Sequence, residues 1–237
     1  MALPINTTPV YTLKIPSTKK EFKYRSFLVK EEKALLTAQQ SEDNLIMLDT
    51  IKDVIKSCAK SPIDVDNLAT FDVEYIFLQL RSVSIGEFVD LMFQCDVCTD
   101  EKARSNVRLN LQAINVNFPE DHTTKIPLFG NVGMVMKYPT LDAVKKIEEM
   151  DTSSIEDVIN IAIECVDYIY SEDEVFPAAE QKPEEITEFI NNLTTDQFGA
   201  IQKFFTTMPS LKHYVNYTCP VCSKEHSKYL EGLASFF

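Results

Sequence analysis

The chain has 237 residues, 45% of them hydrophobic, and a net charge of −13, which is enough apolar material to pack one large domain or two small ones. It contains no run of roughly 18 apolar residues that would cross a membrane and no secretory signal at its start, so we expect a cytoplasmic protein with no membrane partner. The segment 148–188 holds fourteen acidic residues and one lysine and accounts for the whole negative excess, which disfavours contact between this segment and a nucleic-acid backbone.

The first 86 residues predict a β-hairpin followed by helices. Apolar and polar residues alternate on both sides of residues 16–18, a pattern typical of two strands joined by a turn. Helical periodicity begins at Lys30, continues over 45–58 and returns over 71–87, where Asp72 is suited to cap the helix. The last of these helices is apolar on more than one side, so we expect other elements to pack on both of its flanks.

The middle of the chain predicts strands. Alternation of apolar and polar residues occurs over four segments, 87–94, 106–117, 124–128 and 133–138. Gly130 and Asn131 supply a turn between the last two of them. We therefore expect a β-rich part that extends to residue 139.

Residues 140–207 predict an acidic helical insertion. Ser153 with Glu156, and Thr194 with Gln197, have the spacing of capping boxes, in which two side chains satisfy backbone amides at the start of a helix. The sequence therefore predicts that two helices begin at these positions.

The predicted helix after Ser153 carries Val166 and Ile169 on its apolar face. An acidic loop with two prolines is predicted over 171–183, between the two helices. The acidic segment 148–188 covers this region and is either a solvated face that maintains solubility or a docking surface for a basic partner.

Two Cys-x-x-Cys pairs, Cys95 with Cys98 and Cys219 with Cys222, have the same surroundings in the sequence. Each pair follows an aromatic-rich strand and precedes a polar turn. Two intervening residues allow a tight turn to direct both sulfurs at one ion, and a structural zinc ion takes four ligands in a tetrahedron. In a chain without a secretory signal, we therefore predict that the four cysteines bind one structural Zn2+ and join two distant parts of the chain.

Two alternatives remain open for these cysteines, a redox-active dithiol and free thiols in a packed core. A thioredoxin-like pair opens a helix, whereas a turn is predicted after Cys98 and after Cys222. His226 has a spacing that would allow it to replace one ligand, but four cysteines complete a site, so we expect this histidine on the surface. Cys58 lies on an apolar helix face and is interpreted as a core residue.

These patterns predict an α+β fold in three parts. Residues 1–86 form a hairpin and helices, residues 87–139 and 208–237 form a β-rich, zinc-ribbon-like part closed by the two distant knuckles, and residues 140–207 form the acidic helical insertion. The sequence has no phosphate-binding glycine loop, no G-x-S-x-G elbow and no H-E-x-x-H motif, so we predict that the protein is not an enzyme. The C-terminal Phe236 and Phe237 either dock on a partner or close the core.

Three features form a recognisable set: residues 11–33 (YTLKIPSTKKEFKYRSFLVKEEK), residues 71–87 (FDVEYIFLQLRSVSIGE) and the two cysteine pairs. Together they resemble the baseplate hub assembly proteins of T-even-type contractile-tailed phages, over most of residues 10–140 and the C-terminal knuckle. The resemblance implies a non-enzymatic assembly factor or hub component whose partners are other baseplate hub or tail proteins. It also implies a location in the host cytoplasm during assembly or in the tail baseplate of the virion.

The cysteine pairs by themselves lead to a second hypothesis, a zinc-ribbon module that binds nucleic acid. Such a module needs a basic face with interspersed aromatic residues. Near the second knuckle the chain offers only a few basic groups, namely Lys212, His213, Lys224 and Lys228. Nucleic acid is therefore not the partner that we expect.

Overall fold

The computed structural model describes residues 7–98, 100, 102–148 and 155–236. The helices are α1 Val29–Gln40, α2 Asn44–Cys58, α3 Thr70–Ser84, α4 Leu141–Glu148, α5 Ile155–Glu164, α6 Pro183–Asn191 and α7 Thr195–Thr206. The strands are β1 Val10–Lys14, β2 Glu21–Arg25, β3 Phe88–Gln94, β4 Arg104–Asn110, β5 Val116–Asn117, β6 Lys125–Phe129, β7 Val132–Met136, β8 Val166–Tyr170, β9 Val175–Pro177, β10 Ser210–Thr218 and β11 Glu225–Glu231. This mixture of helices and sheets confirms the predicted α+β class. None of the described helices has both the length and the apolar content that a membrane crossing requires.

Two compact units divide the chain. The first unit contains Met1–Asn117 and Ser210–Phe237, and the second contains Phe118–Pro209. The second unit is thus one continuous segment between β5 and β10. It includes β6 and β7, which the sequence grouped with the cysteine-bearing strands, and the first unit joins the N-terminal hairpin and helices to those strands.

The N-terminal hairpin is held by α3. Strands β1 and β2 pair antiparallel, as predicted. The N-cap of α3 is Ala69, and Asp72 lies three residues further along, fully buried. Its carboxylate accepts hydrogen bonds from the Ser17 backbone N–H at 2.9 Å and from the Ser17 hydroxyl. Asp72 is therefore not the N-cap residue that the sequence predicted, because it lies three residues inside the helix and its carboxylate bonds mainly to the hairpin turn.

Helix α3 lies at the centre of the first unit, as its apolar faces predict. Leu78 is fully buried and belongs to one core cluster with Leu111, Leu211 and Phe236. These residues come from α3, from the segment after β4, from β10 and from the C-terminal 3-10 turn. Phe236 therefore closes the core, which decides between the two interpretations of its side chain; Phe237 lies outside the described residues.

The second unit is built on a four-stranded antiparallel sheet in the order β6-β7-β8-β9. Residues of α5, α6 and α7 pack on it in a second core cluster that includes Met134, Cys165, Ile190 and Phe204. The turn between β6 and β7 lies at Gly130 and Asn131, as predicted. This unit is not the purely helical insertion that the sequence predicted, because two of its four strands lie within 140–207.

Strand β8 is the main departure from the predicted elements. Val166 and Ile169, which were assigned to a helix, lie in β8, where Ile169 pairs with Met134 of β7. The acidic segment that follows is partly a strand as well, since Phe176 of β9 pairs with Ile169. The apolar spacing of this segment suits a helix and a strand alike, and pairing with β7 favours the strand.

The capping box at the start of α7 is confirmed. The Thr194 backbone N–H donates to the Gln197 side-chain oxygen at 2.8 Å, and the Gln197 N–H donates to the Thr194 hydroxyl at 3.4 Å. These reciprocal bonds satisfy amides that have no partner within the helix. The other predicted capping box, Ser153 with Glu156, lies outside the described residues and side chains.

Candidate metal centre

The two cysteine pairs meet in the first unit. Cys95 directly follows β3 and Cys219 directly follows β10, while Cys98 and Cys222 lie in the turns after them. The four sulfur atoms all lie within 4.8 Å of one another. The fold therefore brings four thiols together, although 120 residues lie between Cys98 and Cys219 in the sequence.

Backbone hydrogen bonds shape both knuckles in the same way. The Val97 N–H donates to the Cys95 sulfur at 3.4 Å, and the Val221 N–H donates to the Cys219 sulfur at 3.4 Å. The second knuckle is closed by Ser223, which has a left-handed φ of 58° and donates its N–H to the Cys219 carbonyl at 3.0 Å. Each turn thus directs amide dipoles at its first sulfur, which favours a thiolate there.

The pKa values of the thiols reflect this arrangement. Amide N–H groups of Cys222 and Val221 lower the pKa of Cys219 to about 7, and the Val97 N–H lowers the pKa of Cys95. The neighbouring Cys222 sulfur raises the pKa of Cys98 to about 12. The backbone amides thus favour deprotonation of the first thiols, and the neighbouring sulfurs oppose deprotonation of the others. Four thiolates at this distance would require a cation between them.

The dimensions suit zinc. Tetrahedral zinc with bonds of about 2.3 Å to sulfur separates its ligand atoms by about 3.8 Å. The Cys95 and Cys222 sulfurs are 3.9 Å apart. Four soft sulfur donors in this arrangement match zinc better than magnesium or calcium, which take oxygen ligands.

His226 lies against the cluster, so the expectation of a surface histidine is wrong. Its side chain is only 7% exposed, and its Nε2 lies 3.2 Å from the Cys95 sulfur. Its Nδ1 lies 3.8 Å from a carboxylate oxygen of Asp96. The alternation of β11 is the sequence signal that would have found it, because His226, Lys228 and Leu230 share the inward face of that strand.

His226 is part of an aromatic stack. The ring of Tyr217 lies between those of His226 and Phe93, with centroid distances of 5.1 Å and 5.2 Å. The Tyr217 hydroxyl donates to the Gln94 carbonyl at 3.3 Å, and the Ser105 hydroxyl donates to the Thr218 carbonyl at 2.9 Å. These contacts hold the β3–β4 strand pair beside the β10–β11 strand pair, so the two knuckles that carry the sulfurs lie next to each other.

The remaining two cysteines are core residues. Cys58 is fully buried in α2, as predicted, and Cys165 is buried in the second unit. Burial raises the pKa of Cys58 to about 11 and that of Cys165 to about 12. Both thiols are therefore protonated at neutral pH and unsuited to nucleophilic chemistry.

Two of the four basic groups near the second knuckle have acidic neighbours. The Lys212 ammonium lies 3.1 Å from a Glu231 oxygen, and the Lys228 ammonium lies 3.9 Å from an Asp96 oxygen. Local carboxylates therefore offset the charge that a nucleic-acid backbone would require.

The fold and the cysteine cluster define the class of protein. It is a mixed α and β protein in which two knuckles, distant in the sequence, bring four cysteine sulfurs together. A family model described as T4 bacteriophage base plate protein matches residues 8–237. The chain therefore belongs to this family and is a phage baseplate protein, which confirms the resemblance seen in its sequence. Searches of curated proteins and of solved structures found no match.

Proposed function

We propose that this protein is a non-enzymatic assembly factor or component of the baseplate hub, that it acts through contacts with other tail proteins, and that one structural Zn2+ stabilises its first unit. The observation that carries the proposal is the family match across residues 8–237, together with a four-sulfur cluster whose size suits zinc. A phage baseplate is built from protein–protein contacts, and a protein of this family has its partners there.

Zinc held by these four cysteines acts in folding rather than in catalysis. Four thiolates leave no open coordination position, so such an ion cannot bind a substrate or activate water. Its binding free energy is coupled instead to the folded arrangement of both knuckles. This chemistry supports a non-enzymatic role.

The assembly role is tested by co-expression with the other baseplate hub proteins of the same phage. We expect a stable complex with at least one of them on affinity purification and size-exclusion chromatography. A capsid protein of the same phage, expressed in the same way, serves as the control. A monomer that captures no hub or tail protein would exclude the proposed role.

The metal is tested by elemental analysis of the purified chain. We expect about one zinc per chain, and loss of zinc with marked destabilisation in Cys95→Ser and in Cys219→Ser. Cys58→Ser is the matched control, because Cys58 is buried away from the cluster and its replacement leaves the zinc content unchanged. A stable protein without bound metal would contradict the zinc site.

Nucleic-acid binding is the less well supported function for this chain, because Glu231 and Asp96 lie beside Lys212 and Lys228 near the second knuckle. We expect no salt-dependent binding of double-stranded DNA or single-stranded RNA in a titration from 50 to 200 mM salt. Binding that weakens steeply over this range would favour the nucleic-acid hypothesis.

A further inference from the structure

Strand β3 has one free edge. The sheet that contains it has two strands, β3 and β4, so the described part of the chain places no strand on the other side of β3. The Leu111 N–H donates to the Glu87 carbonyl at 2.8 Å and the Cys95 N–H donates to the Ala103 carbonyl at 2.9 Å. In an antiparallel pair this register directs the backbone N–H and C=O groups of the odd-numbered residues of β3 at β4. The backbone groups of the even-numbered residues face the free edge. The amides and carbonyls that face this edge belong to Phe88, Asp90, Met92 and Gln94, and of these only the Gln94 carbonyl has a partner among the described residues, the Tyr217 hydroxyl.

The side chains along this edge are unusually apolar for their exposure. Phe88 is 47% exposed and Met92 is 65% exposed, and they lie on the same face of the strand. Asp90, between them, is the one charged residue among the seven of β3. Exposed strand edges in natural proteins are commonly shielded by several charges, by proline or by a bulge. None of these three devices is present in β3.

Three other edge strands carry such devices. Strand β6 contains Pro127 and an irregular register, and β9 has three residues and ends at Pro177. Strand β11 is as long as β3 but has three charged residues, Glu225, Lys228 and Glu231. The outer edge of β1 also has a single charge, Lys14, and no proline or bulge, but β1 has only five residues. Among these edge strands, β3 is the longest with a single charge.

Asp90 points to the chemistry of the partner. Arg108 lies opposite it in β4, but its guanidinium carbon lies 4.5 Å from the centre of the Phe88 ring, and within the described residues the Asp90 carboxylate forms no salt bridge. A cation on an added strand would therefore be complementary at this position, with apolar neighbours on each side for Phe88 and Met92. A second copy of the chain fits this edge less well. If β3 paired with β3 of another copy over most of its length, the two Asp90 carboxylates would lie opposite or diagonal to each other and would repel.

We propose that the free edge of β3 binds an extended segment of another baseplate hub protein, which adds a strand to the β3–β4 sheet and places a lysine or arginine beside Asp90, flanked by apolar residues beside Phe88 and Met92. The proposal rests on the proposed function, since it identifies the surface through which the hub contact is made. Backbone hydrogen bonds along the edge supply affinity, and the apolar-basic-apolar order supplies specificity.

The test uses the full-length chain and the hub proteins of the same phage, each purified singly as a probe. Met92→Pro removes an amide that faces the free edge and leaves the β3–β4 ladder intact, since proline is tolerated at such edge positions. We expect it to weaken binding of the captured hub protein by on the order of tenfold or more, whereas Met92→Thr, which keeps the amide, has a smaller effect. Zinc content and circular dichroism check that both variants are folded.

A second variant tests the charge and does not depend on a proline. Asp90→Lys is expected to weaken binding by on the order of tenfold, and the matched control Asp53→Lys on α2, also an exposed aspartate, leaves it unchanged. In the complex, hydrogen exchange at the amides of Phe88, Asp90, Met92 and Gln94 slows, while exchange along the β11 edge does not.

The outcomes separate the two proposals. If a complex forms with equal affinity for every variant and without slower exchange in β3, the edge assignment is overturned and the assembly role stands. If no hub protein binds, both are overturned. If the chain self-associates and Met92→Pro abolishes this, the edge belongs to a second copy and the assignment to another hub protein is overturned.

Discussion

His226 and the four cysteines show how single residues organise the first unit. The imidazole lies between the Cys95 sulfur and the Asp96 carboxylate, and the Tyr217 ring holds it in plane. A nitrogen that donates its proton to a thiolate disperses the negative charge of that sulfur and fixes its direction. His226 is therefore a positioning residue for the proposed zinc rather than a ligand.

The first prediction concerns this histidine. His226→Ala removes the contact to Cys95 while keeping all four sulfurs, so we expect zinc to transfer to a chromophoric chelator roughly 10-fold to 100-fold faster than from the unsubstituted chain. His213→Ala, on strand β10, is the matched control and transfers zinc at the unsubstituted rate. Equal rates for both variants would show that the contact with Cys95 has no effect on the metal.

Glu74 is the second residue with a measurable consequence. It lies in α3, and its Oε1 accepts the Leu233 N–H at 3.3 Å, which ties the C-terminal turn to the central helix. Burial raises its pKa from 4.5 to about 7. The folded state therefore holds a proton that the unfolded state releases first as the pH rises, so the stability from this group is complete below pH 4.5 and is lost as the pH rises to about 7.

The second prediction concerns Glu74→Gln and follows from this loss of stability as the pH rises. Glutamine keeps the acceptor oxygen for Leu233 and removes the charge, so above pH 7 we expect the free energy of unfolding of the variant to be about 3 kcal/mol higher than that of the unsubstituted chain. At pH 4.5 the two should be nearly equal. Urea unfolding at both pH values measures this, with Glu225→Gln on exposed β11 as the control. A variant that is less stable at high pH would contradict the assignment.

At the scale of elements, the close approach of β7 and β8 depends on one glycine. A Cβ built on Gly133 would lie 2.2 Å from the Tyr170 hydroxyl oxygen and 2.7 Å from the Ile126 carbonyl oxygen. Tyr170 faces Gly133 across the pair, so its ring occupies the space that a side chain would need. The Ile126 carbonyl belongs to the neighbouring backbone, which cannot move without loss of β6–β7 pairing.

Gly133→Ala is therefore expected to destabilise the second unit by roughly 1–3 kcal/mol, the range for overpacking a core. Gly199→Ala in α7 provides the opposite control. No atom lies within 4 Å of a Cβ at Gly199, so alanine there should stabilise by roughly 0.5–1 kcal/mol through its helix propensity. Thermal unfolding of both variants measures the difference, and equal effects would contradict the steric argument.

The sequence pattern correctly predicted the elements whose conformation depends mainly on residues nearby in the sequence. The N-terminal hairpin, the first three helices, the β6–β7 turn and the Thr194 capping box are of this kind. It failed for β8, because the spacing of Val166 and Ile169 is compatible with a helix and with a strand. It also failed for Asp72, whose partner Ser17 is 55 residues away in the sequence.

At the scale of the whole molecule, each unit has its own core. One cluster contains Leu78 and Phe236 in the first unit, and another contains Met134 and Phe204 in the second. The cysteine cluster belongs to the first unit, so the proposed zinc stabilises that unit directly.

Chelation should therefore act on one unit. With a strong zinc chelator, we expect amide hydrogen exchange to accelerate by on the order of 100-fold in β10 and β11 while exchange in β7 and β8 is unchanged. Cys219→Ser should reproduce this pattern without chelator. Acceleration in both units to the same extent would show that the metal stabilises the whole chain, and no acceleration would contradict the site.

The sequence by itself determined the α+β class, the family, the N-terminal elements and the two cysteine pairs as partners in one centre. These features are carried by residue type and short-range spacing, which act through local hydrogen bonds and side-chain periodicity. Only the tertiary structure decided that His226 contacts Cys95, that Phe236 closes the core, that β8 is a strand and that, among the described residues, no strand pairs with the outer edge of β3. Each of these depends on which distant segment lies beside the residue, and that packing is not encoded in any single stretch of the chain.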